Sequence, residues 1–218
     1  MSALRVLIDN LDFLISGFRL TLRLAVVSAV GALLLGTLIA AMRVSPVPAL
    51  RTAGTAYVTL ARNTPLTLMF AILVFGLPEL GVPASFFVRA VLALTLYTAA
   101  FVAESVRSGI NAVQAGQAEA ARAIGMTFGQ TLRLVVLPQA FRSVLPPLAS
   151  VFIALIKNTS VAAGFGITEA VFRMGGVVRD APTAVIPVFI GVAFGYIILV
   201  AIIAFFFRFL ESRLAVAR

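Results

Sequence analysis

Residues 24–42, LAVVSAVGALLLGTLIAAM, run without a charge between Arg23 and Arg43. A helix needs about 20 mostly apolar residues to cross the hydrocarbon core of a bilayer, and this stretch supplies the first span. Working outward, residues 181–207 are uncharged between Asp180 and Arg208 and supply the last. Three further apolar stretches lie between them, at 52–78, 84–106 and 142–166. Each carries an ionisable residue inside it or near one end: Arg62, then Arg89 with Glu104, then Lys157. Pro65, Pro78 and Pro83 blur the ends of the second and third, since proline disturbs a helix interior. The pattern predicts an all-α integral membrane protein of five transmembrane helices, with residues 1–218 forming one transmembrane domain.

Composition agrees. The chain is 61% hydrophobic and only 11% charged, whereas soluble domains are roughly a quarter charged. It has no Cys and no His, which removes disulfides, thiol chemistry, the usual zinc sites and His-dependent nucleophilic catalysis. The net charge of +9 is scattered between apolar runs with no cluster resembling a nucleic-acid-binding arm. No nucleic-acid partner is expected; membrane lipid is. Met1 to Asn10 lacks the basic-then-apolar pattern of a cleavable leader, so the first long helix is expected to target the chain.

The loop charges set an expected orientation. With the C-terminus inside, Arg43, Arg51, Arg107, Arg122, Arg133, Arg142, Arg208, Arg213 and Arg218 are cytoplasmic. Arg5, Arg173 and Arg179 are outside, with Arg19 and Arg23 at the outer end of the first span. The excess inside favours N-out/C-in.

The longest stretch outside the membrane is then cytoplasmic, 108–141. Ala118 to Ile124 are helix formers, Gly125 can end that run, and Thr127 can cap a second helix before Pro138 opens the fourth span. A helix, a glycine and a helix on this face form either a docking element or an amphipathic loop resting on the membrane.

This loop carries EAARAIG at 119–125, then nine residues, then Val135, Val136, Leu137 and Pro138. It resembles the signature cytoplasmic loop of permease subunits in binding-protein-dependent ABC importers, with Val135 where the family usually has Ile. The stretches RNTPLTLMF (62–70), AFVAESVRSGINAV (100–113), LPQAFRSVLPPL (137–148) and ALIKNTSVA (154–162) are similar to the polar amino-acid branch of that family. Within it, RVSPVPALRTAGTAY (43–57) and FVAESVRSGI (101–110) look closest to glutamate-uptake permease subunits of actinobacteria.

The resemblance implies a type I importer core in a bacterial plasma membrane. Two permease subunits pair, here expected as a heterodimer although the family shows homodimers too. Two ATPase subunits dock beneath, and an extracytoplasmic binding protein delivers the substrate. The chain has no GxxxxGK[ST] phosphate loop, so it is expected to be no enzyme and to hold no cofactor, ATP being bound by the partner subunit. Glu119, Ala120, Ala121, Arg122 and Gly125, with Leu137 and Pro138, would form the ATPase-coupling element. The two alanines would allow close seating and Gly125 the turn.

Ionisable residues inside a membrane usually face protein or a water-filled cavity. Lys157 is the chain's single Lys and is followed by Asn158, Thr159 and Ser160, then Gly164 and Gly166, residues that can interrupt a helix beside a cavity. Arg62 has similar neighbours in Asn63, Thr64 and Pro65. The RNTP and KNTS tetrapeptides echo each other, but four residues recur easily and no repeat is read from them. Tyr97, Phe101, Glu104 and Ser108 follow one face of the third span. Of these, Lys157, Asn158, Thr159, Ser160, Arg62, Asn63, Thr64, Glu104 and Tyr97 are the candidate substrate path. The embedded tally of Arg62, Arg89 and Lys157 against Glu104 suits an anionic or zwitterionic solute. The alternative is structural ion pairing or snorkelling, which fits Glu104, Arg107 and Arg89 well; Glu104 could pair with Arg107 or with Lys157.

Phe205, Phe206 and Phe207 are expected to face lipid or the inner interface. In the polar outer segment 167–182, Glu169, Arg173, Arg179 and Asp180 could meet a binding protein or be ordinary solvated residues. Two rival readings of the whole chain stand beside the permease: an ATPase-independent channel or secondary transporter, and a non-transporting membrane scaffold.

Overall fold

The computed structural model describes residues 3–214; Arg218, counted above with the inner charges, lies outside them. The described residues form nine helices and no strand. They are α1 (Ala3–Asp9), α2 (Leu11–Val44), α3 (Pro48–Asn63), α4 (Leu66–Glu79), α5 (Phe86–Asn111), α6 (Ala115–Ala123), α7 (Phe128–Phe165), α8 (Ala170–Asp180) and α9 (Pro182–Leu214). Four of these (α2, α5, α7 and α9) are long and apolar enough to cross a membrane. The fifth predicted span corresponds to a bent pair, a broken span or a re-entrant loop: α3 and α4 meet at 101°.

The break has a local cause. Pro65 lacks the N–H that a continuous helix would need, and its ring disfavours helical geometry at Thr64, which is extended at ψ 128°. The Asn63 and Thr64 side chains donate to the Thr59 and Leu60 carbonyls, both at 2.8 Å, and so close the last turn of α3. A second proline acts further along. Pro78 leaves the Val74 carbonyl without its i+4 donor, α4 widens into a π turn over Ile72–Gly76, and Arg89 of α5 donates to that carbonyl at 2.5 Å.

α2 and α5 pack most extensively, and small residues set their separation. A Cβ at Gly36 would lie 2.6 Å from the Val102 Cβ, so a side chain there would force the two helices apart. α7 packs on α5 and on α9, and α8 lies against α2 and α9. One apolar cluster, with Ile39, Val58, Ala99, Val102 and Leu148, occupies the end of the bundle nearer α6. A second, with Leu24, Phe70, Leu94, Leu155 and Ile167, occupies the opposite half. Around these cores, Ile186, Phe194 and Phe205 of α9 are more than 60% exposed, a surface suited to lipid and not to water. Phe206 is likewise exposed, but Phe207 is buried against Phe152, a correction to the expectation that all three aromatics face outward.

The stretch 108–141 is largely helical. α5 continues to Asn111 and α7 begins at Phe128, so only α6 and its two connections separate them. Pro138 lies inside α7, just after a π segment over Thr131–Val136.

Candidate functional site

α5 and α7 enclose a groove of about 390 Å³ lined by Tyr97, Thr98 and Phe101 on one side and Ser150, Val151, Ala154 and Asn158 on the other. The spacing is helical on both walls, and Ala154 and Ser150 leave the opening because their side chains are short. The Tyr97 and Phe101 rings lie 5.0 Å apart and form one continuous aromatic wall. Of the predicted path residues, Tyr97 and Asn158 line this groove.

The neighbouring residues differ in what they do. Lys157 is exposed beside Asn158 and makes no ion pair among the described residues. Thr159 is fully buried and its hydroxyl donates to the Ile156 carbonyl at 2.7 Å; Ser160 donates to the Lys157 carbonyl at the same distance. Both hydroxyls therefore tighten the end of the α-helical part of α7, where it turns into a 3-10 helix over Thr159–Phe165 and stops at Gly166, whose φ is +78°. Asn63 and Thr64 serve the same purpose in α3. RNTP and KNTS are thus two helix endings built alike.

Arg62 lies 5.5 Å from the centre of the Phe101 ring, and its guanidinium is 3.9 Å from Glu104. Glu104 also accepts from Arg107 on its own helix and from Arg43 at the end of α2. Of the two partners considered for Glu104, Arg107 is found and Lys157 is not. Arg43 went unnoticed because it is 61 residues away in sequence and looked like a topology charge. Arg89 is a structural residue: it donates to Ala84 and Val74 carbonyls and stacks on Phe86, so it does not join the charge tally of the path.

α6 packs against the π segment of α7 and leaves Glu119, Ala120 and Arg122 exposed. Gly125 follows at φ +89°, a conformation that other residues adopt at a cost. Thr127 caps the next helix in a reciprocal box with Gln130, as the Thr predicted. Ala121 is buried against the chain's own body, so its small size serves that packing. Leu137 and Pro138 are exposed on the first α-helical turn after the π segment. Sequence reasoning missed Ile124 and Phe128, which flank the turn and are 80% and 76% exposed. Large apolar residues on both sides of a loop glycine were the available signal.

Glu169 does not face outward. It is fully buried, caps α8 by accepting from the Val171 and Phe172 amides, and accepts from the hydroxyls of Thr21 and Tyr196. This overturns its candidacy as a surface contact and makes it the pin that joins α2, α8 and α9. Arg173 donates to the Thr168 carbonyl and stacks on Phe13, while Arg179 and Asp180 are exposed.

Residues 32–216 match the family described as binding-protein-dependent transport system inner membrane component. A glutamate transport system permease protein of Corynebacterium glutamicum is 43% identical over 94% of this chain and 95% of its own length. A probable glutamine ABC transporter permease protein of Bacillus subtilis is 37% identical over 96% of each chain. The crystal structure of an amino acid ABC transporter with histidines contains a chain 29% identical to this one, with a TM-score of 0.86 over 94% of this chain and 96% of that chain. With four or five apolar crossings, the exposed α6 turn and this match over most of its length, the chain belongs to the binding-protein-dependent transport family, as a multi-pass inner-membrane permease subunit of an ABC importer.

Proposed function

We propose that this permease subunit carries glutamate, as part of an ABC importer for amino acids in which ATP is hydrolysed by a separate subunit. The observation that carries the reading is the groove between α5 and α7, which offers an aromatic wall and an amide at Asn158, the residue after the exposed Lys157, which makes no ion pair among the described residues. A groove of this size suits one amino acid, and a lysine next in sequence to its lining favours a solute bearing a carboxylate. The names of the relatives, glutamate at 43% identity and glutamine at 37%, agree with an amino acid of this shape.

The exposed surfaces support a reading of the partners. The turn formed by α6, Gly125 and Phe128 is the docking face for an ATPase subunit, and Ile124 and Phe128 are its apolar anchors. Glu119 and Arg122 lie at the rim, where ion pairs contribute little. The chain lies N-out/C-in with α6 in the cytoplasm, a second permease closes the open side of the groove as a heterodimer, and an extracytoplasmic binding protein delivers the solute at the α8 end. ATP binding in the partner acts only through contacts that differ between its two states, and α6 transmits the difference to α5 and α7.

The test is reconstitution of this subunit with its partner permease, ATPase and binding protein in liposomes. The expected result is ATP-dependent uptake of labelled glutamate that resists excess arginine. Gly125→Asp is expected to abolish uptake while the chain still inserts, because φ of +89° strains an Asp and the charge lands on the docking face. Normal uptake by that variant refutes the assignment of α6.

A further inference from the structure

Glu104 sits one helical turn from Phe101, the residue that ends the aromatic wall of the groove. Its two oxygens are already engaged, Oε1 by Arg107 and Oε2 by Arg43. Arg62 is the third cation, 3.9 Å from Oε2 and looser than the others: its side chain is 46% exposed, against 13% for Arg43 and 33% for Arg107. Three guanidiniums face one carboxylate, and no other Asp or Glu among the described residues pairs with them.

The cluster is also short of acceptors. The Nε atoms of Arg43 and Arg107 are buried with no hydrogen-bond partner. Guanidinium groups present up to five donors each, while an ionised carboxylate offers about four lone-pair sites. Buried donors without acceptors cost free energy, so Glu104 leaves this cluster with more donor capacity than it satisfies. Arg62 is the member free to supply the link. It is anchored by neither of the close pairs, it stacks on a groove residue, and its planar fork matches a carboxylate with two hydrogen bonds.

We propose that Arg62 is a mobile carboxylate receptor: in the empty subunit it rests against Glu104, and an amino acid in the groove draws it to its own carboxylate. Glu104 is then an internal counter-anion that keeps Arg62 beside the groove and competes with the solute for it. Arg43 and Arg107 hold Glu104 in place throughout. The inference rests on the groove being the amino-acid path and adds the group that reads the carboxylate.

The experiment is equilibrium dialysis of the assembled importer in detergent, without the binding protein, against radiolabelled glutamate, glutamine and arginine. Glutamate α-amide and glutamine as competitors separate the α-carboxylate from the side-chain carboxylate. Arg62→Met is expected to weaken glutamate binding at least tenfold and to remove discrimination between glutamate and whichever amide lacks the carboxylate that Arg62 reads. Glu104→Gln is expected to tighten binding severalfold when Arg62 is present and to change nothing in the Arg62→Met background. If Glu104→Gln does not assemble, Glu104→Asp draws the charge away from Arg62 while keeping it, and a smaller tightening is expected.

An Arg62→Met importer that binds as tightly as the unaltered one, or binds weakly with acid-amide discrimination intact, overturns the proposal. If Lys157→Met then weakens binding, the groove reading survives without it. If none of the three amino acids binds the unaltered importer, the groove reading fails and the proposal with it.

Discussion

RNTP at 62–65 and KNTS at 157–160 look alike in sequence and do the same local work, yet they leave their cations in opposite circumstances. Each tetrapeptide closes a helix by returning hydroxyl or amide donors to carbonyls of the final turn. Each places a basic residue in that turn, where it complements the negative end of the helix dipole. Beyond the helix end they diverge. Arg62 faces Glu104 and Phe101, whereas Lys157 has neither an ion-pair partner nor an aromatic face among the described residues. A polar tetrapeptide inside a membrane is therefore explained twice: its hydroxyls by the helix they terminate, and its charge by whatever faces it. Only the second bears on transport.

The largest expected effect separates the two cations. Lys157→Met removes the unpaired one, and ATP-driven uptake of glutamate in proteoliposomes should fall at least tenfold while the chain still copurifies with its partners. Uptake at the unaltered rate would reduce KNTS to a helix ending and nothing more. Arg89→Met tests the opposite class, a cation whose whole role is structural. Losing the charge-assisted donor to the Val74 carbonyl should cost about 1.5–3 kcal/mol of stability, read as a lower thermal unfolding midpoint with solute selectivity unchanged. Altered selectivity would return Arg89 to the path.

The hydroxyls should follow burial. Thr159 is fully buried, so Thr159→Val should destabilise the assembled importer by about 1 kcal/mol. Thr64 is partly exposed and can exchange its bond for other donors, so Thr64→Val should stay within about 0.5 kcal/mol. Equal costs, measured by chemical or thermal unfolding in the same detergent, would show that the two endings are not distinguished by burial.

What the sequence made legible is what depends on neighbours along the chain. Runs of apolar residues placed the four long apolar helices and the bent α3–α4 pair, Gly125 marked a turn, and Thr127 marked a cap. The 101° break was half visible: Pro65 announced an interruption, but its angle depends on how α3 packs across α2 and α5. The pairing of Arg43 with Glu104 was invisible, since nothing at position 43 distinguishes it from a topology-setting arginine. Arg89 could have been foreseen, because Pro78 necessarily orphans the carbonyl four residues before it. Glu169 misled because ITEAVFRMGG reads as surface, yet a Glu preceding a helix is also a cap, and here the cap is buried. The small residues that open the groove, Ser150 and Ala154, follow the same spacing as residues that let helices pack closely, and only the fold tells these apart.

The central claim is that the groove between α5 and α7 carries an amino acid bearing a carboxylate, with energy entering through α6. Its most direct test is ATP-dependent uptake of labelled glutamate by the complete importer in liposomes, measured for the unaltered subunit and for Lys157→Met side by side. The account predicts uptake that requires ATP, resists excess arginine and falls at least tenfold in the variant. Uptake that proceeds without ATP hydrolysis, or that the Lys157 substitution leaves unchanged, would contradict it.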